Sequence, residues 1–169
     1  MVDEKLVKEI RRRAHFYDQF SGCSQSVLLA LQEGLNVGNK DSFKAATALS
    51  GGVARRGETC GALLGALMAL GLVEGRERMH DTPTYTKACA DADDMCSKFQ
   101  RHVEREFNFK EPLTSTLCKD IQRQIYGQSF DLRNTDQRNA FLAVGGHSDS
   151  GCYKVCGIAA EVAAEKLLK

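Results

Sequence analysis

From Cys60 to Val73 the chain reads CGALLGALMALGLV, and Gly61, Ala62, Gly65, Ala66 and Ala69 recur at three- and four-residue spacing. This spacing predicts a helix with one face bare enough for another helix backbone to approach closely, a device also used by membrane helices. The apolar run is shorter than the roughly 20 residues a bilayer span needs. It therefore reads as a buried central helix, whose small-residue face serves either a core or a homodimer seam.

The rest of the chain is consistent with an all-α, compact multi-helix bundle. Leu6, Ile10, Ala14 and Tyr17 recur with helical period over residues 3–19. Ser21-Gly22 breaks that run, and a second helix is expected from Cys23 to Leu35, closed by Asn36 and Gly38. Asp41 or Ser42 is expected to cap a third helix, and Gly51-Gly52 opens the loop GGVARRGE. Thr82-Pro83 marks a helix start running to about Glu106. Thr114 or Ser115, Asn134 or Thr135, and Ser148 or Ser150 are expected to start three more helices. No strand-like alternation of useful length appears, and the two prolines and absent tryptophan fit a helical chain.

The 169 residues suffice for one helical domain over 1–169. A formal net charge of +1 argues against a polyanion partner, so no nucleic-acid role is expected. Arg11, Arg12 and Arg13 read as a solvated helix face near Asp3 and Glu4. The N-terminus MVDEKLVKEIRRRAHF has no apolar core of a secretory signal, so the expected location is cytoplasmic, with no membrane span.

Seven cysteines in such a chain need an explanation. In a reducing compartment repeated cysteines point to metal ligation or redox chemistry more than to structural disulfides. Cys23, Cys60, Cys118 and Cys152 each fall in or just before the first turn of an expected helix. There the free amides and the helix dipole favour thiolate, so lowered thiol pKa values are expected. Cys89 and Cys96 share a helix face about 10 Å apart and cannot pair within that helix. Cys156 lies one turn after Cys152, as an auxiliary ligand, a resolving thiol or a core residue. No C-x-x-C occurs, which argues against zinc ribbon, thioredoxin and c-type haem motifs.

The block RRGETCGALLGALMALGL, with Cys60-Gly61-Ala62-Leu63-Leu64-Gly65, resembles the C-G-A-x-x-G signature of the C_GCAxxG_C_C family of redox-active proteins. Gly22-Cys23-Ser24-Gln25-Ser26-Val27-Leu28, Cys118 in LCKDIQRQIYG and Cys152 in CYKVCGIAAEVA resemble its other three cysteine blocks, in the same order. The likeness runs over about residues 20–165. Gly22 stands where the family often has asparagine, Cys156 where valine is more usual, and Cys89 and Cys96 are additional. The resemblance implies a redox role, with a redox partner protein or a transporter-associated component, and supplies no defined reaction.

Three readings follow. In the first, Cys23, Cys60, Cys118 and Cys152 bind an iron–sulfur cluster or another thiolate-bound metal. Gly51, Gly52, Gly57 and Gly61 would then let amides approach, and Arg55 or Arg56 would offset negative charge. In the second, pairs of these thiols cycle through disulfides without metal. In the third, the chain is a non-enzymatic helical interaction module with core cysteines. His15, His80, His102 and His147 read as solvated or boundary residues, with reach to a site at Cys152 the alternative for His147 in GGHSDSGC. Asp91, Asp93 and Asp94 read as an acidic helix surface.

Overall fold

Side-chain caps set the starts of four helices in the computed structural model, which describes residues 2–169. Asp3 accepts from the Lys5 and Leu6 amides and begins α1 (Glu4–Tyr17). Asn39 begins the short α3 (Lys40–Ala45) through a reciprocal capping box with Ser42. Asp81 begins the long α5 (Thr82–Phe107), with Pro83 in its first turn, and Asn134 begins α7 (Thr135–Ala143). The remaining four helices are α2 (Cys23–Leu35), α4 (Gly61–Glu74), α6 (Cys118–Tyr126) and α8 (Cys152–Leu167). None of these four has a side-chain cap bond.

The all-α expectation holds, and four boundaries move. Asn39 rather than Asp41 or Ser42 caps α3, because the Ser42 side chain is occupied as its partner in the box. Asp81 takes the cap expected at Thr82. Ser115 bonds the Leu117 amide, and α6 starts only at Cys118. Ser148 and Ser150 bond each other in the turn before α8, which starts at Cys152.

The core joins α1, α2, α4, α5 and α8. Ile10, Leu28, Leu31, Leu63, Phe99, Val103 and Ile158 are each fully buried there. Burying a side chain of this size stabilises the fold by about 1.5–3 kcal/mol. The small-residue face of α4 does what its spacing predicts: a Cβ on Gly65 would lie 2.3 Å from the Ser24 carbonyl oxygen of α2. α8 shares the centre with α4, and Ala159, Ala160, Ala163 and Ala164 are buried along it. Among the described residues no helix is long and apolar enough to cross a membrane.

The arginine cluster is not wholly a solvated face. Arg11 reaches inward to Glu106 of α5, 2.6 Å away, and to Glu161 of α8, 2.5 Å away, tying three helices together. Arg13 pairs with Glu9 and Glu33. The acidic patch on α5 is a surface feature, where Asp91 bridges Lys87 and Lys166.

Candidate functional site

Cys23, Cys118 and Cys152 are the first residues of α2, α6 and α8, and Cys60 is the residue before α4. All four line one cavity of about 670 Å³, joined there by Cys156. The helices that begin with these cysteines are the four without side-chain caps. No Ser, Thr, Asp or Asn side chain therefore competes for their first-turn amides. Cys89 is exposed and Cys96 half-buried, and both lie outside the cavity lining.

Two backbone devices hold the cysteines. Thr59 and Leu117 form an isolated antiparallel bridge. Across it the Cys60 amide donates to the Thr116 carbonyl at 2.9 Å and the Cys118 amide to the Glu58 carbonyl at 2.7 Å. On the other side, the Cys152 amide donates to the Gly146 carbonyl, which also accepts from the Tyr126 hydroxyl. Tyr126, Phe130 and Phe141 pack edge to face at 5.7–6.4 Å and fasten α6 to α7. The Gln122 amide group donates toward the Cys118 sulfur at 3.6 Å, and its oxygen accepts from the Phe130 amide.

The loop after Leu49 turns with the opposite hand. Gly51, Gly52, Val53, Ala54 and Arg55 all have positive φ, between 51° and 71°. Left-handed backbone costs a non-glycine residue about 1–2 kcal/mol, so three such residues mark stored strain next to a site. The turn brings Gly51 and Ser50 beside the Cys23 sulfur, where their polar hydrogens favour its charged form, and sets Ala54 and Arg55 on the cavity wall.

The electrostatics reverse one expectation. Burial pushes the Cys23 thiol up to about 12, with repulsion from Cys60 and Asp18 adding to it. Burial likewise raises Cys60, Cys118, Cys152 and Cys156. The Ala62 and Leu63 amides face the Cys60 sulfur and offset part of this, although no full capping bond forms. The helix-start effect is therefore present and outweighed, because desolvation of a buried thiolate costs more than a dipole returns. The Cys23, Cys118, Cys152 and Cys156 sulfurs are also raised by charge on neighbouring cysteines, so a positive centre among them would relieve several repulsions together.

One site residue carried no signal in the sequence. Asp18, in the 3₁₀ turn Asp18–Phe20 after α1, lines the cavity and is only 1 % exposed. Its Oδ1 accepts from the Ser26 hydroxyl at 3.5 Å, and the nearby Cys156 thiol donates to the Cys23 carbonyl at 3.9 Å. Its Oδ2 has no hydrogen-bond partner. Burial pushes this carboxyl up to about 7. His147 lines the same cavity with Nδ1 3.7 Å from Asp18 Oδ2, and burial lowers its pKa.

A family model described as "Putative redox-active protein (C_GCAxxG_C_C)" matches residues 21–166. The chain belongs to the C_GCAxxG_C_C family. No curated protein and no solved structure matches it. The structure gives the C_GCAxxG_C_C signature a physical reading in this chain. Cys60 faces the cavity. A Cβ on Gly61 would lie 2.5 Å from the Cys23 sulfur, so glycine there makes room for the family's earlier cysteine. Gly65 lets α2 lie directly on α4.

The donor set of this C_GCAxxG_C_C protein fits a thiolate-bound group in kind, with four soft sulfur donors from four helix starts on one cavity. Its spacing does not fit a lone ion: among the described residues no group of three or more His, Cys, Asp or Glu could hold a metal ion as they stand. A single tetrahedral zinc draws its sulfurs to about 3.8 Å from one another.

Proposed function

We propose that this redox-active family member holds an iron–sulfur cluster on Cys23, Cys60, Cys118 and Cys152 and passes electrons to a redox partner protein. The observation that carries the reading is the coincidence of the four cysteine-led helix starts with the four uncapped ones, all bordering one cavity. A polynuclear cluster spaces its ligands more widely than a single ion, which suits sulfurs arranged round a cavity. Such a cluster supplies one-electron transfer. The chain's own groups orient the sulfurs and moderate their charge: the Gly51 amide and Ser50 hydroxyl at Cys23, the first-turn amides at Cys60, and Gln122 at Cys118. A reducing compartment such as the cytoplasm suits free thiols awaiting a cluster. Disulfide exchange is served less well, because it needs an accessible attacking thiolate and these sulfurs are buried.

The test is anaerobic purification or reconstitution with iron and sulfide, followed by metal, sulfide and visible-absorption analysis. A brown protein with stoichiometric iron and sulfide is expected. Replacing any of the four cysteines by alanine should abolish most of the colour, while Cys89→Ala and Cys96→Ala keep it. Colourless, iron-free protein after careful anaerobic loading sinks the reading, as does equal iron in all six variants.

A further inference from the structure

The cavity has a second chemical character that the cysteines do not use. Besides the thiols and His147, its lining carries three charged side chains, Asp18, Arg55 and Arg138. Asp18 lines the cavity at 1 % exposure, and its Oδ2, 3.7 Å from His147 Nδ1, has no hydrogen-bond partner. Buried polar atoms in folded proteins are almost always bonded, so an orphan on a residue that lines a cavity points to a donor that comes from a ligand. Both arginines line the cavity, Arg55 exposed and Arg138 partly so. Among the described residues neither forms an ion pair.

A lone anion would satisfy the arginines and be repelled by Asp18. A lone cation would satisfy Asp18 and leave the guanidinium groups unmatched. A molecule with an amine at one end and a carboxylate at the other meets both. The cavity, about 670 Å³, is in the range of small-molecule sites. We propose that it binds a small zwitterion of amino-acid or short-peptide type, its ammonium group on Asp18 and its carboxylate toward Arg55 and Arg138. This rests on the cavity being the functional site, and it names the class of molecule that site admits beside the cysteines. Gly51, in the left-handed turn that also carries Arg55, lies beside the Cys23 sulfur, so the ligand's anionic end and a cysteine sulfur are served by one loop.

The test is calorimetric titration of the anaerobically purified full chain with glycine, diglycine and triglycine at mildly alkaline pH. Iron and sulfide are assayed on the same samples. At least one of the three probes should bind saturably. N-acetylation of that probe, or Asp18→Asn in the protein, should weaken binding about tenfold or more. C-terminal amidation, or Arg138→Gln, should weaken it by a similar factor. No saturable binding by any probe overturns the inference, and so does unchanged affinity for the acetylated probe, which does not depend on a variant folding. A sample with full iron that binds no probe rejects this inference alone. An iron-free sample that still binds rejects the cluster reading alone.

Discussion

The Cys23 sulfur and the absent side chain of residue 61 occupy the same space: a Cβ there would stand 2.5 Å from it, with the Leu49 carbonyl at 2.9 Å on the other side. Neither neighbour yields freely, since one side chain is fixed at the first residue of α2 and the other atom is backbone. Gly61→Ala is therefore expected to cost about 1–3 kcal/mol in urea unfolding, the range for overpacking. It should also lower cluster retention more than its stability loss alone accounts for. Wild-type stability and iron content in this variant would contradict the close approach.

Two glycines of α4 should answer the same substitution with opposite signs. A Cβ on Gly65 would lie 2.3 Å from the Ser24 carbonyl oxygen, whereas one on Gly71 would meet nothing within 4 Å. Gly65→Ala must push α2 from α4 and should destabilise by at least about 1–3 kcal/mol. Gly71→Ala should stabilise by about 0.5–1 kcal/mol, because alanine loses less backbone entropy in a helix. Thermal melts of the pair decide it, and a shared sign would refute the packing argument.

Asp18 gives stability an unusual pH slope for an aspartate. Its carboxyl is raised from 3.8 to about 7 by burial, so the folded chain binds the proton more tightly than the unfolded chain. Between these values the folded state holds more protons. The contribution is thus complete at low pH and is lost as pH rises toward and through 7, at up to about 1.4 kcal/mol per pH unit. Asp18→Asn should flatten this part of the profile in denaturant melts of the cluster-free chain. An unaltered slope would show that the proton resides elsewhere.

The left-handed turn should be relieved by glycine. Ala54 is exposed with φ 51°. Ala54→Gly removes a strain of about 1–2 kcal/mol against a glycine entropy cost of about 0.5–1 kcal/mol. A small net gain in urea stability is expected where this substitution ordinarily gives a loss. A drop in stability would mean that the turn is not under strain.

These cases show what was legible in the chain. The Cys60 helix, its close-packed face and the cysteines at helix starts could be read because each depends on neighbours within one or two turns. Asp18 could not. An aspartate after an amphipathic helix looks like a surface residue, and only the meeting of the 3₁₀ turn with α2 and α8 buries it. The direction of the thiol shifts escaped for the same reason: a helix dipole is local and visible, whereas desolvation is a property of the assembled cavity. Gly51-Gly52 announced a loop, but Val53, Ala54 and Arg55 carry no mark of left-handed backbone. Arg11 looked solvated because its partners Glu106 and Glu161 lie on helices far along the chain.

The bridge between Thr59 and Leu117, and the seat of Cys152 at the head of α8, have a consequence in time. On a growing chain, Cys23 and Cys60 emerge long before the segment that registers Cys118, and α8 brings another wall of the cavity later still. α8 is also central to the core. The pocket therefore comes into being only when α8 joins the fold, and its filling follows the docking of that helix.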